Sequence, residues 1–112
     1  MQRSEKIILK KILNAIEEAR AVLGDTSQEN FLNNAGMKLA MGMSIIRIGE
    51  LVKNLSPEFR LANPQVAWKD IAGFRDVVAH KYDMLRMKDV FATVKNDFPE
   101  LKAQIEKILE IV

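Results

Sequence analysis

Between Ala35 and Val52 the chain reads AGMKLAMGMSIIRIGELV, a stretch that is apolar almost all the way round a helix. From Ser44 onward the polar residues Ser44, Arg47, Glu50 and, just past the stretch, Lys53 recur every third residue and trace one narrow, slowly drifting stripe. A helix apolar on most of its circumference must be covered on several sides. A chain of 112 residues has room for one core and few other helices to do this. Part of the surface is therefore expected to meet a second copy of the chain. Gly36 and Gly42 fall inside the stretch. Each costs about 1 kcal/mol relative to alanine, which close approach of a neighbouring backbone would offset. Met37, Met41 and Met43 read as adaptable core filler.

The rest of the sequence also predicts helices, in one domain spanning 1–112, an all-α antiparallel up-and-down bundle of four to five main helices. Five glycines and three prolines punctuate it, and no run alternates as a half-buried strand does. Ile8, Ile12, Ile16, Ala19 and Leu23 mark a first helix that Gly24 should stop. Thr26 and Glu29 have the form of a capping box, opening a second helix near residue 27 that runs to about Asn54. Ser56-Pro57 predicts a short helical turn, and Asn63-Pro64 a helix from about 64 to 83. Residues 87–97 read as a short helix, Phe98-Pro99 as a boundary, and Leu101, Ile105, Ile108 and Val112 as a final stripe.

Several function classes fall away. Without cysteine there is neither a disulfide framework nor thiolate metal ligation, which fits a reducing cytoplasm. No signal-peptide pattern and no membrane-spanning run is present. The net charge of +2 is too small for nucleic-acid binding through the overall field, so any such contact must be local or form when chains associate.

The segment FRDVVAHKYDM, residues 74–84, holds the one histidine and the one tyrosine. With Phe74 set at zero on an ideal helix, Ala67, Ile71, Val78 and Leu85 lie within about 60° and form the expected core face. Trp68, Arg75 and Tyr82 share one flank, and Ala72, Gly73, Asp76, Ala79 and His80 line the far side as a shallow trough of small residues. Asp76 and His80 are four apart, so their side chains are placed to meet and the imidazole to titrate near neutrality. Arg75 can curl toward the trough and grip a phosphate. A guanidinium that holds phosphate and an imidazole that moves a proton suffice for RNA cleavage without a metal, because the RNA supplies its own 2′-hydroxyl nucleophile. One histidine cannot easily be both acid and base; two facing chains supply two. Such residues near a helix end more commonly cap and pair, and spacing alone leaves that reading open. Tyr82 then reads as a core-edge aromatic, and Glu50 as a partner of Arg47 or Lys53.

Arg75, four residues, His80, one residue and Tyr82 resemble the R-x4-H-x-Y motif of HepT-like proteins in the HEPN superfamily (higher eukaryotes and prokaryotes nucleotide-binding). IIRIGELVKNLSPEFR, WKDIAGFRDVVAHKYD and VKNDFPELKAQI resemble further segments of that family, in order, from about residue 31 to 109. The resemblance implies a dimer whose two motifs line a shared cleft, and a metal-independent endoribonuclease toxin needing no cofactor. It implies a partner, a minimal nucleotidyltransferase antitoxin that attaches AMP to the motif tyrosine. By position, Arg75 and His80 are then the catalytic pair, Tyr82 the modification site, and Asp76 and Glu50 supporting residues. Many relatives carry asparagine where this chain has Asp76. That substitution places negative charge at the phosphate site and keeps a second reading in view, a non-catalytic helical accessory or nucleotide-binding subunit of a nucleotidyltransferase. A third reading is a purely structural dimerisation bundle.

Overall fold

In the computed structural model, which describes residues 1–111, the first helix α1 covers Arg3–Leu23. Its buried stripe runs through Leu9, Ile12, Ile16, Ala19 and Leu23, while Ile8 is half-buried beside it. Gly24 ends it at φ 55°, the left-handed region that favours glycine, and its N–H donates to the Arg20 carbonyl. Glu5 is buried near the start of α1. Its carboxylate accepts from the Gln2 N–H at 3.3 Å and from the Ser56 hydroxyl at 2.7 Å.

The expected helix from 27 to 54 is in fact two, α2 (Gln28–Leu32) and α3 (Ala35–Lys53). The break falls at two adjacent asparagines whose amides compete for the backbone. Asn33 donates its side-chain N–H to the Glu29 carbonyl, and the Asn34 side chain accepts from the Met37 N–H at 2.9 Å, capping α3. The cap of α2 is Ser27, whose hydroxyl accepts from Asn30, in place of the predicted Thr26. Phe31 secures the short helix, fully buried against the ring of Phe91.

Ser56 caps α4 (Pro57–Ala62) as its sequence predicts, accepting from the Phe59 N–H at 3.0 Å with Pro57 in the first turn. Asn63-Pro64, by contrast, opens no helix. Asn63 closes α4, its amide donates to the Phe59 carbonyl, and its own carbonyl accepts the Trp68 indole N–H at 2.9 Å. With that tie and buried Val66 holding 63–67 as a turn, α5 is shortened to Trp68–His80, followed by a 3₁₀ turn at Tyr82–Met84. Phe98-Pro99 does mark an element boundary, as a change of helix type and not as a break in the chain's helical course. From α6 (Met87–Ala92) the chain widens into a π turn at Thr93–Asp97 and continues as α7 (Phe98–Ile111). The Phe98 N–H reaches back five residues to the Thr93 carbonyl, and Pro99 sits in the first turn of α7, where a missing N–H costs little. Leu101, Ile105 and Ile108 are buried as read; Val112 lies outside the described residues.

The long helices form an all-α antiparallel bundle. Glu5 meets Ser56 and Glu18 pairs with Arg47, so α1 and α3 run oppositely. Gly42 faces Val78 and Tyr82 while Gly49 faces Ile71 and Arg75, so α3 and α5 do too. The closing helix α7 returns to α1, with Lys102 Nζ 2.8 Å from Glu17 Oε1. Among the described residues there is no strand, and no helix is long and apolar enough to cross a membrane.

The covered face of α5 extends further round than the expected core face, on the side toward α3. On that side it runs through Trp68, Ile71, Arg75, Val78 and Tyr82, with Trp68 and Val78 buried, whereas Ala67 is exposed. The reason is that the aliphatic stem of Arg75 packs as a hydrophobic group and joins the apolar face. Ile71, Phe74 and Leu85 pack half-buried against the core as expected, and Phe74 also lines an open groove of about 600 Å³ between α5 and the α6–α7 arm.

Candidate functional site

Gly49 determines how closely α3 and α5 approach. A Cβ built there would overlap the Arg75 Cβ, lie 2.6 Å from its Cγ and 3.4 Å from the Ile71 carbonyl oxygen. Gly42, two turns earlier on the same face, receives the edge of the Tyr82 ring, with Cε2 3.3 Å from where a Cβ would stand. Of the two glycines expected to admit a neighbouring backbone, Gly42 meets the Tyr82 and Val78 side chains and Gly36 only the Asn34 side chain; the close helix approach is instead at Gly49.

Because its stem lies in this seam, Arg75 is only 19% exposed in its side chain. Its guanidinium emerges between two carboxylates. Nη2 is 3.0 Å from Glu50 Oε2 of α3, and Nη1 is 3.1 Å from Oδ1 of neighbouring Asp76. Nε is buried and without a hydrogen-bond partner. Glu50 is thus the partner of Arg75, and not of Arg47, which reaches Glu18, or of Lys53, which reaches Asp76. The every-third-residue stripe of α3 explains the division. It drifts about 60° per step, carrying Arg47 to the α1 side and Glu50 and Lys53 to the α5 side.

Asp76 does not orient His80. Its Oδ1 is engaged by both Lys53 Nζ and Arg75 Nη1, and no ion pair joins it to the imidazole among the described residues. These hydrogen bonds, first from Lys53 and then from Arg75, hold the Asp76 carboxyl below the ordinary aspartate range against an opposing desolvation. A depressed folded-state pKa stabilises the fold above the unfolded aspartate value, and that stabilisation disappears as pH falls through the folded value. Thermal melts taken from neutral pH downward should therefore show an acid limb that is shallower in Asp76→Asn. An identical limb would assign acid sensitivity to other paired carboxylates such as Glu17, which the Lys102 hydrogen bond lowers in the same way.

His80 is the last residue of α5 and is exposed. On an ideal helix it stands about 140° round from Arg75 and roughly 7.5 Å further along, so one chain does not bring the two groups face to face. Beyond it the half-buried Tyr82 sits on the 3₁₀ turn. The trough is present in part: Gly73, Ala79 and His80 are exposed, and nothing lies within 4 Å of a Cβ built on Gly73. Among the described residues no group of three or more His, Asp and Glu side chains is placed to hold a metal ion.

The family described as Ribonuclease HepT-like matches residues 12–108. The chain belongs to the HepT-like family. Among its relatives, "Probable ribonuclease HepT" of Thermococcus cleftensis is 32% identical over 96% of this chain and 98% of that protein. A "Putative RNase" of Caldanaerobacter subterraneus subsp. tengcongensis is 38% identical over 75% of each. The chain also matches half the length of a Methanocaldococcus jannaschii protein named "Gamma-glutamylcyclotransferase and putative RNase", at 34% identity over 98% of this chain. No solved structure matches. Two residues of the candidate site were not singled out from sequence as part of it, Gly49 and Lys53. The signal for the first was its spacing of seven from Gly42, which puts both on one helix face; Gly36 and Gly42 do not share one.

Proposed function

We propose that the chain is a metal-independent endoribonuclease toxin of a HEPN–nucleotidyltransferase pair, acting in the cytoplasm on RNA as a homodimer. The observation that carries this reading is the exposed, uncommitted His80 on the same helix as Arg75, in a chain of the HepT-like family. Arg75 stabilises charge on the scissile phosphate. One imidazole takes the 2′-hydroxyl proton as the 2′-oxygen attacks phosphorus, and the imidazole of the second copy protonates the departing 5′-oxygen. The products are a 2′,3′-cyclic phosphate and a free 5′-hydroxyl.

Exposed apolar side chains favour the dimer. Leu39 and Met43, 60% and 63% exposed, flank Gly42 on α3, and Met84, 83% exposed, sits on the Tyr82–Met84 turn. Leu39→Glu should shift light scattering from dimer to monomer and reduce cleavage with it. The decisive test is incubation of the purified protein with RNA in EDTA. Cleavage leaving cyclic phosphate ends supports the reading, and cleavage that EDTA abolishes removes the metal-independent mechanism.

Tyr82 is the proposed AMP acceptor for the partner nucleotidyltransferase. Incubation with that enzyme and ATP should give a nucleotide adduct that Tyr82→Phe lacks; an adduct elsewhere overturns the assignment. The second reading, a non-catalytic accessory subunit, is favoured by the two carboxylates that occupy the Arg75 guanidinium. Binding of the partner without RNA cleavage by either protein would select it.

A further inference from the structure

The oxygen at the centre of the ion network is held in a way that points beyond Arg75. Lys53 at the end of α3 and Arg75 in the middle of α5 both donate to the same atom, Asp76 Oδ1. A single anionic oxygen held by an ammonium and a guanidinium from two helices has the coordination that a non-bridging phosphate oxygen takes. The network is neutral as it stands, Lys53 and Arg75 against Glu50 and Asp76. Removing Asp76 alone leaves one net positive charge at the seam. The seam is also reachable, since the side chains of Lys53 and Asp76 are 35% and 47% exposed.

We infer that Lys53 and Arg75 together form a two-cation anchor for an RNA phosphate, and that Asp76 fills it in the free protein as a carboxylate stand-in for the phosphate. The inference rests on the ribonuclease reading and adds to it a positioning residue, Lys53, and a built-in competitor, Asp76. Substrate binding is then an exchange of anions. The phosphate takes the place of Asp76 Oδ1, and the displaced carboxylate, already partly in water, turns outward. Glu50 keeps its bond to the other terminal nitrogen and holds the guanidinium plane against α3. A bland role for Lys53 competes with this one. As the last residue of α3 it complements the helix dipole and neutralises Asp76 without touching substrate.

A double-mutant cycle separates the two roles. The probe is a fluorescein-labelled 2′-O-methyl RNA, which lacks the attacking hydroxyl and so reports binding without cleavage. Anisotropy titrations compare wild type, Asp76→Asn, Lys53→Ala and the double variant, with thermal melts of each. Asp76→Asn should tighten binding roughly tenfold, because it removes the competing charge and leaves the two cations. Adding Lys53→Ala to Asp76→Asn should cost about five- to tenfold and lower the salt slope by about 1, as loss of a phosphate contact does. Lys53→Arg in that background should restore most of the affinity. If Lys53 only neutralises Asp76, Lys53→Ala has nothing left to change once Asp76 is asparagine, and a double variant that binds like Asp76→Asn overturns the anchor. So does an Asp76→Asn protein that binds like wild type. Either result alongside wild-type cleavage of ordinary RNA leaves the ribonuclease reading standing, whereas absence of RNA binding in every variant removes both.

Discussion

His80→Ala abolishes RNA cleavage and leaves the fold intact: that is the expected result with the largest effect on activity. Loss of a positioned general acid–base typically costs about 10²- to 10⁴-fold in rate. The stability cost should be small. His80 is exposed, ends α5, and is not the partner of Asp76, so its truncation removes little beyond a helix-end interaction of about 0.3–1 kcal/mol. Coincident melts with cleavage lost would mark a chemical role, and cleavage that survives the substitution would sink the mechanism. Arg75 is the poorer probe for this purpose. Its stem fills the space over Gly49, so Arg75→Ala would open a gap in the α3–α5 seam as well as remove a charge. Arg75→Lys keeps the charge but cannot reproduce the two-pronged grip on Glu50 and Asp76, and should lose most activity with a smaller change in melting temperature.

The largest expected effect on stability comes from one methyl group. Gly49→Ala gains about 1 kcal/mol of helix propensity. Against this stands the overlap with Arg75 Cβ and Cγ, atoms too close to the α5 backbone to swing aside, and the nearby Ile71 carbonyl. Separating two packed helices to relieve such a clash costs about 3 kcal/mol or more. The net should be a loss of about 2 kcal/mol, read as a fall in melting temperature of about 10 °C, together with weaker RNA cleavage as the guanidinium shifts. Gly73→Ala is the matching control. The position is open, mid-helix and exposed, so the same methyl should stabilise by about 1 kcal/mol. If Gly49→Ala melts as high as wild type, the helices are not held together at that point.

Much of this was legible in the sequence because it depends on local chemistry. Gly24, Ser56-Pro57 and the Leu101–Ile105–Ile108 stripe act within a turn or two of themselves, and the structure bears them out. The elements misread are those decided from further away. Asn63-Pro64 has the form of a helix start, yet a hydrogen bond from the Trp68 indole holds it as a turn. The covered face of α5 is wider than its apolar residues indicate, because the stem of Arg75 packs with them. Asp76 and His80 have the right spacing to meet, but spacing cannot reveal that Lys53, on another helix, takes the carboxylate. The family was readable from the motif, whereas the ion network over Arg75 required three-dimensional placement.

The indole that locks the entry of α5 also gives the molecule its own optical probe. Trp68 is the sole tryptophan, buried against Phe59, and Tyr82 the sole tyrosine, roughly 20 Å further along the same stretch of chain. Light absorbed by the phenol and passed to the indole would vary with the separation between the two ends of α5. Unlabelled protein would thus signal, in its emission, when the Tyr82–Met84 turn leaves α3 or when a partner settles on it.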